Sequence, residues 1–318
     1  MKKYLINILL IILIFTIFKA LNTFADKVEF LKIEKTSNQK ILGKNNHKYI
    51  LATGQHKTLI LNKLGDIVWA VKTGNTSDVW MLKNGNVLIA DGEVKEVNLK
   101  TGEIIFNYKA KMDKGGGVYS CQRLENGNTL IGENSTSRIL EVDSSGKIIF
   151  ELAIIPRKIG DHLNLRMVRK TKAGNYLVSL GKHKLYREYD ATGKILWEKK
   201  IKNPIAFSII KLSNDNYLTG QINDIIEYDK HGKEIWKFSP KDIPQVKLGK
   251  ICGINVLKNG NIVVGFYRSN ISKNGAGLIE ITRDKRLVWR YVDINIPNKN
   301  MMSVQVLNEN KNAISDLK

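Results

Sequence analysis

The chain has 318 residues and a mass of 36.1 kDa, a length that fits either two ordinary domains or one large all-β domain. Its 43% hydrophobic and 25% charged residues are a globular balance, which excludes a disordered chain. Two cysteines are too few for a disulfide scaffold, and the 51 basic and 30 acidic residues give a formal net charge of +21, which leaves anionic partners open.

Residues 1–25 have the organisation of a secretory signal. Lys2 and Lys3 precede an apolar run over residues 5–18, and a short polar stretch ends at Ala25. The run is shorter than the roughly 20 residues that a membrane-spanning helix needs. We therefore predict cleavage after Ala25 and a periplasmic or secreted chain of 318 − 25 = 293 residues with no membrane span and a net charge of 21 − 3 = +18. An uncleaved N-terminal membrane anchor is the alternative.

The rest of the chain repeats two patterns. The first is an apolar strand, an Asn-Gly-Asn turn and a second apolar strand; clear copies begin at Leu82, Leu124 and Leu257. Weaker copies begin at Lys172, Leu212 and Leu307. Asn-Gly between alternating apolar residues is the strongest local signal for a β-hairpin, since we expect both central residues of the turn to take positive φ.

The second pattern is a strand, a turn containing glycine, and an aromatic residue four positions after the glycine. In the last copy Lys285 replaces the glycine. The aromatic residues are Trp69, Phe106, Phe150, Trp197, Trp236 and Trp289. Their constant position predicts one packing layer between neighbouring sheets.

The turns of the first pattern lie at residues 85, 127, 174, 215, 260 and 310, with steps of 41 to 50 residues. A unit of about 45 residues with four short strands and no helical periodicity predicts a blade of a β-propeller. We expect one propeller domain over 26–318, with complete blades from about 37 to 292 and a composite closing blade formed by 28–34 and 301–316. Seven blades follow from this count; six is the alternative, if the terminal strands only join the first blade.

These Asp-x-x-Gly-x-x-x-Trp and Leu-x-Asn-Gly-Asn-x-Leu elements resemble the PQQ-like (quinoprotein-type) β-propeller repeats of secreted bacterial proteins, and more loosely the arylsulfotransferase propellers. The resemblance covers nearly all of 37–318 and implies the fold, not an activity. Quinoprotein dehydrogenases would imply a quinone, calcium and a vicinal cysteine pair. Cys121 and Cys252 are 131 residues apart, so that feature is missing, and we expect no cofactor.

The sequence contains no established catalytic motif. The five histidines show no ligand spacing, so we expect no metal site, and no nucleophile elbow or phosphate loop is present. Cys121 and Cys252 fall in innermost strands three blades apart, which predicts two buried free thiols. His162 stands out because it precedes an innermost strand, where loops reach the mouth of the central channel.

Aligning the innermost strands on the leucines at 82, 124, 212, 257 and 307 identifies the residues expected at the channel. One column holds Asp78, Ser120, Ser208, Gly253 and Ser303, and the next column outward holds Ser77, Tyr119, Phe207, Cys252 and Met302. Arg166 joins them from the fourth repeat. The candidate ligand-binding residues are therefore Asp78, Tyr119, Ser120, His162, Arg166, Ser208 and Ser303, a set that suits a modest polar ligand; the alternative is that strand convergence alone demands small residues there.

The leading interpretation is a monomeric, exported and non-catalytic propeller that binds a protein or carbohydrate partner on the face around the channel. An anionic partner is one form of this interpretation. The basic residues are scattered rather than gathered in a stripe, so nucleic acid is not expected as a partner. One alternative is a sulfotransferase-like or lyase-like enzyme at the channel mouth, with His162, Arg166 and Tyr119 as the residues to test. A second alternative is a scaffold in cell-envelope assembly.

Overall fold

A computed structural model describes residues 26–33, 39–111, 116–156, 161–268, 274–293 and 301–318. The secretory signal predicted at 1–25 lies outside these residues. The described part is built from β-strands, with a single 3-10 turn at Pro240–Asp242. Within that part of the chain, no helix has the length and apolar character required to cross a membrane.

The described strands form six antiparallel sheets, which are the blades of a propeller. Blade 1 combines β24 (Met301–Leu307), β2 (Tyr49–Asn62) and β3 (Ile67–Asn75). Blade 2 contains β4 (Asp78–Met81), β5 (Val87–Ala90), β6 (Glu93–Val97) and β7 (Ile104–Lys109). Blade 3 contains β8 (Val118–Arg123), β9 (Thr129–Glu133), β10 (Arg138–Val142) and β11 (Ile148–Ala153).

Blade 4 contains β12 (Leu165–Lys170), β13 (Tyr176–Leu180), β14 (Leu185–Tyr189) and β15 (Ile195–Lys200). Blade 5 contains β16 (Ala206–Lys211), β17 (Tyr217–Gln221), β18 (Asp224–Tyr228) and β19 (Glu234–Phe238). Blade 6 contains β20 (Lys250–Val256), β21 (Ile262–Tyr267), β22 (Leu278–Ile281), β23 (Leu287–Asp293) and, at its outer edge, β1 (Gln39–Gly43). The innermost strands β24, β4, β8, β12, β16 and β20 contact one another in that order and close a ring.

The expectation of seven blades is wrong, because the unit expected at residues 37–72 lacks its own innermost strand. Strand β24 supplies it by pairing with the first half of β2, with Ile50 opposite Val306. The second half of β2 pairs with β3, and His56, at φ 62°, lies between the two halves. Blade 1 thus has four strand segments like the others, and the chain closes as the six-bladed alternative.

The N-terminal segments cover outer edges instead of building a blade. Strand β1 pairs with β23, the outermost strand of blade 6, with Gly43 opposite Trp289. Residues 26–31 run along the outer strand of blade 1 and reach blade 2, through hydrogen bonds such as Leu31 N to Ala70 O and Val28 N to Gly102 O. Such additions protect strands whose free N–H and C=O groups would otherwise be exposed at an edge.

The Asn-Gly-Asn turns need only one residue at positive φ, not the two we expected. Gly85 has φ 82°, whereas Asn84 stays at negative φ and its side-chain oxygen accepts a hydrogen bond from Asn86 N at 3.0 Å. Asp215 and Lys311 take the glycine position in blades 5 and 1, at φ 64° and 59°. Asparagine therefore serves these turns through its side chain, and glycine through its backbone.

The aromatic residues of the second pattern occupy one register in all the blades, as expected. In five blades this aromatic lies opposite a buried glutamate on the third strand. Four of these glutamates bond a basic residue of the following blade, and the fifth bonds His47, just before β2. The pairs are Glu96 with Phe106, Glu141 with Phe150, Glu188 with Trp197, Glu227 with Trp236, and Glu280 with Trp289. For example, Glu188 accepts from Lys211 Nζ at 2.8 Å and from the Tyr217 hydroxyl at 2.5 Å, both on blade 5. These glutamates therefore join neighbouring blades.

The outermost strands expose large apolar side chains at repeated positions. Ile105, Ile149, Leu196 and Ile235 each immediately precede the packed aromatic and are 47% to 52% exposed. The equivalent Val288 is only partly exposed, in the blade whose edge carries β1. The buried hydrophobic clusters instead lie between blades, where they fix each sheet against the next.

Candidate binding site at the mouth of the channel

A β-bulge near the start of the innermost strand aims one residue of several blades at the channel. On β8 the partners Val118 and Ser120 face consecutive residues of β9, so Tyr119 is the extra residue. Arg166 on β12 and Phe207 on β16 are extra residues in the same way. Bulges of this kind redirect side chains and recur next to functional sites.

The three bulged side chains form a stack in which Arg166 is the middle member. Its guanidinium carbon lies 4.3 Å from the ring centroid of Tyr119 and 4.9 Å from that of Phe207. The contact with two aromatic faces stabilises the cation, because each ring presents the negative side of its quadrupole. Consecutive blades thus hold one arginine between two rings.

Arg166 is buried without a neighbouring carboxylate. It is 8% exposed, and Nη1 donates to the carbonyl of His162 at 3.2 Å. No described carboxylate lies within ion-pair distance, and Nε is buried with no hydrogen-bond partner. Burial lowers the pKa of Arg166, and the raising effect of Tyr119 does not offset it. An arginine remains charged under these conditions.

Arg166 lines a small pocket at the channel mouth. The pocket has a volume of about 20 Å³, enough for roughly one water molecule. Its lining residues are Ser77, Arg166, Met167, Phe207, Cys252, Gly253, Met302 and Ser303. The Ser77 hydroxyl is also buried without a hydrogen-bond partner. Two polar groups with unused hydrogen-bonding capacity therefore line the same pocket.

A buried charge cluster lies beneath the pocket. Asp78 accepts hydrogen bonds from Arg169 Nη2 at 3.1 Å, from Lys318 Nζ at 3.1 Å and from the Ser303 hydroxyl at 3.2 Å. Burial alone would raise the pKa of Asp78, but the charges of Arg169 and Lys318 outweigh it and lower the pKa below its ordinary value. Trp80 adds a ring 4.4 Å from Lys318 Nζ and 4.9 Å from the Arg169 guanidinium. Asp78 is thus an occupied partner and not a free acid.

Residues 315–318 close the channel on the side away from the pocket. The carbonyl of Leu317 accepts from Val256 N at 2.8 Å and from Asn255 Nδ2 at 3.1 Å, and the main-chain oxygen of Lys318 accepts from Arg169 Nε at 2.6 Å. Lys318 is 3% exposed. The pocket is therefore the open end of the channel among the described residues.

Arg166 and Ser303 are the predicted site residues that line the pocket, and the ring of the predicted Tyr119 packs on the Arg166 guanidinium. Ser303 lines the pocket and bonds Asp78 directly below it. The side chain of His162 is 65% exposed, and this residue meets Arg166 through its carbonyl alone. The role of these residues in binding stays a prediction.

The remaining predicted serines are committed to bonds within the protein. The Ser120 hydroxyl accepts from Val168 N at 3.0 Å, and the Ser208 hydroxyl donates to Cys252 O at 2.8 Å. Both bonds join the innermost strands of neighbouring blades. These hydroxyls therefore hold the ring together.

Sequence reasoning missed Arg169 and Lys318 and misplaced one strand. In blades 2 to 6 the residue before each turn donates its N–H to the residue four positions on, as Leu82 does to Asn86; in blade 1 this residue is Asn308, not Leu307. Ser303 therefore belongs with Ser77 and Arg166, one position further out than predicted. The clue was the Asn308 to Asn312 spacing; nothing in the repeat indicated that Lys318 would enter the channel.

Both cysteines are buried, and two of the histidines bond neighbouring segments. Cys121 and Cys252 are buried free thiols in different blades, and burial raises the pKa of Cys252 to about 12. His47 bonds Glu280 at 2.6 Å, and His183 bonds Asn164 at 2.8 Å, so both serve packing between segments. Within the described residues no group of three or more His, Cys, Asp or Glu side chains is placed to hold a metal ion.

Comparison with known proteins supports the fold. No protein-family model matches the sequence, and no curated protein matches it. Among solved structures, a protein of unknown function from Bacteroides caccae has a TM-score of 0.68 and 21% identity, covering 81% of this chain and 98% of its own.

Two further similar structures have named activities or classes. Virginiamycin B lyase from Staphylococcus aureus has a TM-score of 0.55 and 15% identity, covering 85% of this chain and 89% of its own. The WD40 β-propeller domain of Doa1 has a TM-score of 0.58 and 12% identity, covering 91% of this chain and 92% of its own. At such identities the likeness extends to architecture alone. The chain is a six-bladed β-propeller of four-stranded blades in its described residues, with one blade extended by a fifth strand.

Proposed function

We propose that this chain is an exported binding module that takes a protein or carbohydrate partner on the face around the channel mouth. The observation that supports it is the pocket where the bulged residues of neighbouring blades meet, with two buried polar groups that lack partners. Concave sites with few convergent polar groups are the usual form of ligand sites. Among the described residues, 315–318 closes the far side, which supports the mouth as the approach to the channel.

The protonation states of Tyr119 and Cys252 favour binding over catalysis. Burial raises the pKa of Tyr119, and the opposing effect of Arg166 is smaller. With the pKa of Cys252 at about 12, its thiol stays protonated at neutral pH. Neither group is then a ready base or nucleophile, whereas Arg166 and the hydroxyls can still bind.

The two ends of strand β4 offer a matched test. Ser77 lines the pocket just before this strand, and Lys83 lies exposed in the turn just after it. Ser77→Leu fills the pocket, and Lys83→Leu adds the same side chain at the opposite end. Immobilised mature protein would be screened by interferometry against defined oligosaccharides and peptides.

For any member of that panel that binds the parent protein, we expect Ser77→Leu to weaken binding at least about tenfold, because it removes a hydroxyl and the space beside it. Lys83→Leu should bind like the parent. Equal binding by both variants would place the partner elsewhere and contradict the proposal. Circular dichroism of both variants controls for folding.

A lyase-like or sulfotransferase-like activity at the same mouth is the second candidate. Its support is the likeness to virginiamycin B lyase, of which one structure was obtained with quinupristin. The test is turnover of quinupristin and of an aryl-sulfate panel by the parent protein and by variants at His162, Arg166 and Tyr119. No turnover by the parent protein would remove this candidate.

Export is part of the proposal and has its own measurement. The support is the sequence pattern of residues 1–25. Expression in a bacterial host followed by fractionation and intact-mass analysis should give a periplasmic or secreted chain beginning at Asp26. A membrane-bound chain that retains residues 1–25 would support the uncleaved anchor instead.

A further inference from the structure

We propose that the pocket at the channel mouth is a subsite for one carboxylate group, held by Arg166 and Ser77. This inference rests on the proposed function and names the chemistry of the ligand that the mouth accepts. It concerns the group that enters the pocket; the remainder of the ligand stays at the mouth.

The charge of Arg166 is the first argument. Two arginines are buried among the described residues, Arg166 and Arg169. Arg169 lies 2.8 Å from the Asp78 carboxylate, whereas Arg166 has no carboxylate within ion-pair distance in the described chain. Buried charges in proteins are normally paired, since an unpaired charge loses its hydration without compensation. An anion supplied by a ligand would complete the pattern that Asp78 provides for Arg169.

Hydrogen bonding is the second argument and is independent of charge. Arg166 Nε and the Ser77 hydroxyl are both buried without partners, and both residues line the pocket. A carboxylate carries two acceptor oxygens with about four lone-pair directions, so it can accept from both donors at once. Arginine binds carboxylates through two parallel N–H bonds, and Nε is one of its donors in that geometry.

Size and surroundings select a small monoanion. A pocket of about 20 Å³ is too small for a sugar ring, so only a small terminal group of a ligand can enter it. The rings of Tyr119 and Phe207 flank the guanidinium, and an apolar surrounding of this kind strengthens its interaction with a charge. A single carboxylate matches the single uncompensated guanidinium, whereas a dianion would leave one negative charge unpaired.

The experiment observes Arg166 directly in the parent protein. The mature chain is labelled with ¹⁵N-arginine, and the Nε–H signal of Arg166 is assigned by its disappearance in Arg166→Lys. Sodium acetate is titrated against acetamide, its neutral isostere. Glucuronate against glucose and N-acetylglycine against its methylamide then distinguish a sugar carboxylate from a peptide carboxylate, and sulfate and phosphate test the other oxyanions.

We expect saturable shifts of the Arg166 Nε–H signal with acetate at a Kd on the order of millimolar, and none with acetamide. Arg166→Lys should lower acetate affinity about tenfold by calorimetry, because the ammonium keeps the charge but loses the planar fork. Arg286→Lys, at a side chain that is 76% exposed, is the matched control and should bind like the parent.

Equal responses to acetate and acetamide would overturn the inference, and so would saturation by sulfate or phosphate without saturation by acetate. These outcomes are separable from failure of the proposed function. If the Arg166 signal responds to acetate while a screened partner binds Ser77→Leu normally, the subsite stands and the proposed function fails. If a neutral partner is lost in Ser77→Leu without any carboxylate response, the reverse holds.

Discussion

Neutralising Asp78 should cost far more stability than neutralising an exposed acid. In Asp78→Asn the shape of the side chain is kept, but the carboxylate that faces Arg169 and Lys318 is replaced by an amide. The residue is 1% exposed and forms ion pairs with Arg169 at 2.8 Å and with Lys318 at 3.1 Å. The substitution removes the carboxylate that faces both buried cations.

Removing one partner of a buried ion pair typically costs about 3 to 5 kcal/mol, since the remaining charge is buried and uncompensated. Two cations depend on Asp78, so we expect a loss of about 4 kcal/mol or more in the free energy of unfolding. An exposed pair is worth about 0 to 1 kcal/mol. Glu198, 44% exposed and 2.6 Å from Arg187, therefore provides the control in Glu198→Gln.

Equilibrium urea unfolding, followed by tryptophan fluorescence and by circular dichroism, gives both values. The double variant Asp78→Asn with Lys318→Met should recover part of the loss, because one of the two uncompensated charges is then absent. If Asp78→Asn costs no more than Glu198→Gln, or if the second substitution adds a full further loss, the cluster is not held by charge pairing and the reasoning fails.

Three further predictions concern other parts of the ring. Lys285 has φ 63° where other blades have glycine, so Lys285→Gly should raise the free energy of unfolding by about 1 kcal/mol. Gly146, at φ 88°, has open space around it, so Gly146→Lys should lower the free energy of unfolding by a similar amount. Urea unfolding measures both, and a change of the same sign in both variants would contradict a backbone origin. Burial alone would raise the pKa of Glu188 and Glu280. Hydrogen bonds and charges from neighbouring segments outweigh burial and hold the pKa of both groups below 4.5. Their contribution is therefore fully present above about pH 4.5 and is lost as the pH falls through the folded-state pKa; thermal unfolding from pH 7 to 3 should show this decline, and a constant Tm would refute it. Cys252, with a pKa of about 12, should resist iodoacetamide at pH 8 in the native protein and react in urea, and mass spectrometry that finds native alkylation would show that this strand opens.

The fold was largely predictable because its signals are local. A turn needs glycine, asparagine or aspartate at fixed offsets, and the aromatic that follows returns at one register, as Trp197 opposite Glu188 shows. Blade number was not local information. It depended on whether 301–307 would pair with a new strand or with 49–54, and this choice is made by long-range packing, in which Ile50 and Val306 share one cluster.

The candidate site divides along the same line. Arg166 and Tyr119 could be placed at the channel because their positions in the repeat fix their depth. That Arg166 lacks a carboxylate while Arg169 has one could not be predicted, since Asp78, 91 positions earlier in the chain, is brought to Arg169 only when the ring closes. The buried glutamates repeated visibly in the sequence, yet their bonds to the next blade required knowing which blades are neighbours.

The segment 315–318 closes one end of the central channel, so the described part of the propeller has a cavity that is open at one end. Among the described residues this segment blocks the far end of the channel, so a ligand bound at the mouth enters and leaves on the same side. Lys318 bonds Asp78 at the closed end of the channel, so the depth available to a ligand depends on residues 315–318, which lie outside every blade. Changes in that short segment would alter the depth of the channel while the six sheets stayed as they are.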